Sequence, residues 1–238
     1  MRYMLLIASD EKTDIPFGTP EWDEQMVAYR AFSEECRRRG AMVAGDPLQS
    51  VETATTLRLQ AGELVTLDGP YAETREQLGG YYLLDCKDES EALELAARIP
   101  TAARGSIEVR RCAGHDARHI ERGGQQYMVL IYGAEEDYLP QSDPRLAKMM
   151  GEHQSLTART LESGEYVGGD GLHPPSMART VRVRDGQSIV TDGPFAETRE
   201  QLGGFYIFAC NDLDRALALA RQIPIASGCL EVRPRQEL

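Results

Sequence analysis

"LDGPYAETREQLGG" spans residues 67–80 and returns as "TDGPFAETREQLGG" at residues 191–204, with only the first residue and the aromatic exchanged. Asp68 and Asp192 lie 124 positions apart, and the same offset holds on either side of them. Tyr3-Met4 recurs as Tyr127-Met128, Gly40 as Gly164, Gly45-Asp46 as Gly169-Asp170 and Ile99-Pro100 as Ile223-Pro224. Near the ends the register slips by one, so "SIEVR" at 106–110 answers to "CLEVR" at 229–233. The pattern is a single duplication rather than a many-unit array. The repeats run over 1–112 and 125–238, and the polar, glycine-bearing stretch 113–124 reads as a linker.

Each repeat spells the same elements. "RYMLLIA" and "QYMVLIY" are apolar runs of strand length. A helix follows, with apolar positions at Trp22, Met26, Tyr29, Phe32 and Cys36 in the first copy and at Leu146, Met149, Met150, Leu156 and Leu161 in the second. Gly40 and Gly164 stand where a left-handed residue ends such helices. Alternating strands then flank Ala61-Gly62 and Asp185-Gly186, the second of which is a strong hairpin signal. "GYYLLDC" and "GFYIFAC" read as buried strands, helices follow over 88–98 and 212–222, and "IEVR" or "LEVR" closes the repeat. Asp88 and Glu91 have capping-box spacing. The order strand, helix, hairpin, strand, helix, strand predicts an α+β class of two tandem ferredoxin-like units. A single sheet with helices on one face leaves the other face bare, so the duplication is expected to form an intrachain pseudo-dimer.

Composition narrows the partners. The chain has 238 residues and a formal net charge of −12, which opposes binding to nucleic acid. No segment is apolar for long enough to span a membrane or serve as a signal peptide, so a cytoplasmic protein is expected. Five cysteines, Cys36, Cys86, Cys112, Cys210 and Cys229, have no CxxC spacing and read as reduced, mostly buried thiols. His115 and His119 are four apart but lie in the linker without a third ligand, and His173 sits in a loop. Neither a metal nor another cofactor is expected.

The "DGPYAETREQLGG" and "DGPFAETREQLGGFY" segments resemble the signature of the DGPF group within the YCII-related (YciI-like) family, and the resemblance covers both repeats. It implies a dimeric α+β barrel fold, shared in shape with muconolactone isomerases, and one branch of the family is similar to chloromuconolactone dehalogenases. It also implies a second idea of function, since many DGPF members are encoded beside extracytoplasmic-function sigma factors. A fold shared with enzymes does not itself make an enzyme.

Two kinds of role compete at each candidate residue. Asp68 and Asp192 are proton carriers or turn residues of Asp-Gly-Pro. Arg75 and Arg199 are clamps for an acid, or surface ion-pair partners of Glu73, Glu76 and their counterparts Glu197 and Glu200. Gly79-Gly80 and Gly203-Gly204 suggest a bulge, not a phosphate loop. His153 lies on the apolar face of its helix, where YciI-like proteins carry a histidine, and Tyr29 replaces it in the first repeat. In some members an acidic residue near the end of the second helix pairs with that histidine; this chain has "RIP" and "QIP" there. His153 is either a hydrogen-bonded structural residue or a proton carrier.

The expected function is small-molecule binding, with cofactor-free proton transfer or elimination on a small acid as the enzymatic form. In that form Asp192, His153 and Asp68 are catalytic, and Arg199, Arg75, Glu197, Glu73 and Tyr29 bind substrate. The second repeat is then the more active one. The alternative is a regulatory or binding protein acting with a sigma factor. The chain would be a monomeric pseudo-dimer or pair further as a homodimer.

Overall fold

The computed structural model describes residues 1–16, 18–72, 74–114, 119–140 and 142–236. The first repeat contributes β1 (Arg2–Ser9), α1 (Pro20–Arg38), β2 (Met42–Pro47), β3 (Thr55–Gln60), β4 (Glu63–Asp68), β5 (Gln77–Asp85), α2 (Glu89–Ala96) and β6 (Ser106–Arg111). The second contributes β7 (Gln126–Ala134), α3 (Pro144–Glu162), β8 (Tyr166–Gly171), β9 (Arg179–Arg184), β10 (Gln187–Asp192), β11 (Glu200–Ala209), α4 (Leu213–Ala220) and β12 (Cys229–Pro234).

The local signals act as their chemistry dictates. Thr19 caps α1 by accepting from the Trp22 amide, with Pro20 at the first helical position, and Asp143 with Pro144 does the same for α3. Gly40 and Gly164, at φ +69° and +79°, end those helices. Asp88 accepts from the Glu91 amide at 2.9 Å, while the Glu91 carboxylate reaches back to the Lys87 amide at 2.8 Å. Both central residues of each hairpin turn have positive φ, Ala61-Gly62 at 52° and 88° and Asp185-Gly186 at 51° and 74°. That is the turn whose twist suits a two-residue hairpin. The double glycines form the expected bulges, where the β1–β5 register shifts at Ile7/Ala8 and the β11–β7 register at Leu202/Gly204.

The strands form two antiparallel six-stranded sheets, ordered β10-β9-β6-β1-β5-β2 and β4-β3-β12-β7-β11-β8. The runs β6-β1-β5-β2 and β12-β7-β11-β8, each from a single repeat without its hairpin, have the ferredoxin-like order. The remaining two strands at one end of each sheet, β10-β9 and β4-β3, come from the other repeat. β3 pairs with β12, Leu57 opposite Leu230, and β9 pairs with β6, Val181 opposite Ile107. The compact units are therefore 1–48, 74–113 and 173–197 on one side, and 49–73, 114–172 and 198–238 on the other. The boundaries expected from the sequence, 1–112 and 125–238, delimit the duplication, whereas the compact units arise because the repeats exchange their hairpins. The exchange is held by packing as well as by ladder bonds. Val181 joins the core of unit one, with Leu5, Phe32, Leu95 and Ile107, and Leu57 joins that of unit two, with Val129, Leu156, Phe208 and Leu230.

Part of the stretch expected to be a free linker is also paired. His119 bridges to Gly168, and the Ile120 amide donates to the Val167 carbonyl at 2.7 Å, which extends the β8 edge. His115 lies outside the described residues. Among the described residues no helix is long and apolar enough to cross a membrane.

Candidate functional site

The closing strands carry their apolar residues, Ile107 and Val109 or Leu230 and Val232, into the helix-covered cores. Alternation puts Ser106, Glu108 and Arg110, or Cys229, Glu231 and Arg233, on the opposite face. Residues two apart on one strand are neighbours on that face, and the charges pair. Arg110 Nη1 donates to Glu108 Oε1 at 2.9 Å, and Arg233 Nη1 to Glu231 Oε1 at 3.2 Å. All four residues are at most 2 % exposed, so each charge depends on its partners.

The remaining bonds of these pairs explain the repeated signature. Gly69 and Gly193 turn the chain at φ +89° and +94°, and the following prolines have no amide hydrogen. The next amide, that of Tyr71 or Phe195, is the first donor after the turn. Tyr71 N donates to Glu231 Oε2 at 2.9 Å, and Phe195 N to Glu108 Oε2 at 3.0 Å. The arginines reach the chain where it enters the exchanged segment: Arg110 Nη2 donates to the His173 carbonyl at 2.6 Å, and Arg233 Nη2 donates to that of Gln49. Thr56 and Thr180 hydroxyls hold the Gly69 and Gly193 carbonyls at 2.8 Å. The segment after the aromatic is closed on itself by Thr74 and Thr198, whose hydroxyls donate to the Glu76 and Glu200 carbonyls, and by Gln77 and Gln201, which donate back to the threonine carbonyls. The signature is a latch that fastens one repeat's hairpin loop over the buried pair of the other.

Beside each latch stands a less buried cluster. In unit two Arg58 forks onto Glu200, Nη1 to Oε1 at 2.7 Å and Nη2 to Oε2 at 2.9 Å, with Cys229 Sγ 3.5 Å from Nη2 and 3.6 Å from Oε2. In unit one Arg182 Nη2 and the Ser106 hydroxyl both donate to Glu76 Oε2, at 3.1 and 2.6 Å. The hydrogen bond to Glu200 raises Arg58 above its ordinary pKa, and burial pushes the Cys229 thiol up to about 12, so it stays protonated. In unit two the Tyr71 ring also stacks on Tyr132, centroids 3.7 Å apart and planes at 16°. Tyr132 is buried and its phenol lies well above the usual range, chiefly through burial.

The residues expected to form the site are divided between the two units. Asp68 and Asp192 close the outer strands β4 and β10 as exposed side chains, and Asp192 faces Arg179 Nε at 3.4 Å. Neither accepts the turn amides expected of Asp-Gly-Pro; the Gly69 and Gly193 amides go to the Ala54 and Ala178 carbonyls. Arg75 and Arg199 are exposed and meet Asp10 and Glu136 at 3.5 and 3.4 Å. Glu197 is exposed, and Glu73 lies outside the described residues. His153 Nδ1 and the Tyr206 hydroxyl are 2.9 Å apart, and Tyr29 shares a 2.6 Å bond with Thr101. Asp192 belongs to unit one, while His153 and Arg199 belong to unit two. Among the described residues no hydrogen bond or ion pair joins any two of these side chains. No group of three His, Cys, Asp or Glu side chains among them is arranged to hold a metal.

Glu76, Glu200, Arg58, Arg182, Glu108 and Glu231 were visible only as parts of strands or of the signature. For Glu108 and Glu231 the signal is "IEVR" and "LEVR": two charges at alternate positions of an apolar strand, in both copies. Such charges sit on a strand only where that face is solvated or where they have partners.

The YCII-related domain model matches residues 1–113 and again 125–237. The chain belongs to the YCII-related family. An uncharacterised protein of Rhizobium meliloti (strain 1021) is 39 % identical over 111 residues, covering 45 % of this chain and 90 % of that protein. That relative is thus the length of one repeat, whereas this YCII-related chain carries two.

Proposed function

We propose that the protein binds a small organic acid on the sheet face opposite the helices and transfers a proton on it without a cofactor. The observation that supports this reading is the arginine–glutamate cluster, built twice from residues 124 positions apart, Arg58 with Arg182 and Glu76 with Glu200. Each pair is half-buried, with side-chain exposures of 21–30 %, deep enough for electrostatics to count and open enough for exchange. An incoming carboxylate takes the guanidinium fork, which is shaped for it. The glutamate it displaces is then a base beside the bound acid. It takes a proton from one carbon; returning it to another, as the C–H pair shifts through a double bond, is isomerisation, and losing it with a leaving group is elimination. The net charge of −12 favours a monoanion over a polyanion.

A thermal-shift screen of small carboxylic acids against their amides tests the binding, since a ligand of the folded state raises the melting temperature. The acids are expected to stabilise and the amides not. For the acids that bind, exchange of their C–H protons in heavy water is expected to be catalysed and to vanish in the Glu76→Gln, Glu200→Gln double variant. Equal stabilisation by acid and amide, or exchange that survives in that variant, overturns the reading.

A further inference from the structure

We infer that the two clusters are unequal: the cluster of unit one is the binding site, and it takes a flat aromatic monocarboxylic acid whose ring lies on Phe195. This rests on the acid-binding reading above and adds which cluster is used and for what shape. The duplication supplies the comparison. Tyr132 of unit two corresponds to Ala8 of unit one, and Tyr71 to Phe195. Both Tyr132 and Ala8 lie opposite the first residue of the closing strand, Tyr132 beside Cys229 and Ala8 beside Ser106. In unit two the Tyr132 phenol is pressed against Tyr71 at stacking distance, so the protein's own ring occupies the aromatic surface beside Arg58. In unit one a methyl group stands in its place, and among the described residues no ring stacks on Phe195. The Phe195 backbone is nonetheless held by its bond to Glu108, as that of Tyr71 is held by Glu231.

The arginines differ in the same direction. Arg58 is engaged by both oxygens of Glu200, by the Tyr71 carbonyl at 3.4 Å and by the Cys229 sulfur. Arg182 donates a single bond, to an oxygen that the Ser106 hydroxyl also holds. An acid competing for Arg182 therefore breaks one bond and leaves Glu76 with its serine partner. At Arg58 it must break a bidentate pair. Unit two also states the shape of the ligand, because the group stacked on its aromatic is a six-membered ring with one polar tip. A benzoate-sized acid supplies that ring to Phe195 and a carboxylate to Arg182. The chosen cluster draws Arg182 and Phe195 from the second repeat and Glu76, Ser106 and Ala8 from the first, while His153 belongs to unit two.

Titration calorimetry of the full chain with benzoate and 4-hydroxybenzoate, and with butyrate as an aliphatic acid, tests the inference. The aromatic acids are expected to bind at one site per chain and butyrate at least about tenfold more weakly. Arg182→Lys is expected to lose about tenfold or more in benzoate affinity and Arg58→Lys less than about twofold, because lysine keeps the charge but not the fork. Ala8→Tyr, which copies unit two, should abolish binding, and Tyr132→Ala should raise the stoichiometry to two. The two arginine variants keep the test decisive if either ring variant fails to fold. Two sites per chain in the unaltered protein, a loss on Arg58→Lys instead of Arg182→Lys, or butyrate binding as tightly as benzoate would overturn the inequality while leaving acid binding in place. No saturable binding of any of the three acids would overturn both.

Discussion

Strands β6 and β12 carry the same buried pair, held by the same three kinds of bond, while the side chains beside it differ. Glu108–Arg110 is flanked by Ser106, Ala8 and Phe195, and Glu231–Arg233 by Cys229, Tyr132 and Tyr71. The difference separates what the fold needs from what it tolerates. A buried glutamate without its arginine, or a latch amide without its glutamate, leaves an uncompensated polar group, so these positions stayed alike. A buried phenol in one unit and a buried alanine in the other are both compatible with the sheet, so these positions drifted. Helix faces show the same licence: His153 with Tyr206 in unit two is answered in unit one by Tyr29 with Thr101 and Ser33 with Tyr82.

The largest test of this comparison removes the shared part. Glu108→Leu strands the Arg110 charge and the Phe195 amide, and Glu231→Leu does the same to Arg233 and Tyr71. Each should cost about 3–5 kcal/mol in urea unfolding, with Arg110→Met recovering much of the loss in the Glu108→Leu background. A large cost in one unit and a negligible one in the other would break the claim that the two pairs do the same work.

An intermediate effect is expected where backbone approach, rather than charge, is shared. A methyl group on Gly45 would run into the Tyr82 ring, and one on Gly169 would lie 2.9 Å from the Phe205 carbonyl oxygen. Gly45→Ala and Gly169→Ala should each lower stability by about 1–3 kcal/mol, read from melting temperature and urea midpoint. Tolerance of both would mean that β2 and β8 can move off their neighbours more freely than their pairing with β5 and β11 indicates.

The smallest effect belongs to the most visible residues of the signature. Asp192→Asn removes a carboxylate that is 89 % exposed and 3.4 Å from one arginine. It and Asp68→Asn should change stability by less than about 0.5 kcal/mol and leave acid binding unaltered. A loss of binding in either variant would sharpen the comparison in the other direction, by giving the aspartates a functional role.

The sequence by itself determined the duplication, the elements and their ends. Each of these is local: caps, positive-φ turns and the two periodicities of apolar residues act within a few positions, and the residues that set them can be read in order. The double glycines announced their bulges, and Gly40 and Gly164 their helix ends. Which edge each hairpin joins was decided only in the tertiary structure. The two copies present "IEVR" and "LEVR" as nearly identical edges, so the pattern of β3 or β9 fits either, and strand pairing between distant segments has no signal in either segment alone. The latch was hidden for the same reason. Its donor is a backbone amide, which every residue but proline has, and its acceptors Glu231 and Glu108 lie 160 and 87 positions away. "DGPY" and "DGPF" therefore showed that something was kept, and only the folded chain shows that it is the amide after the proline.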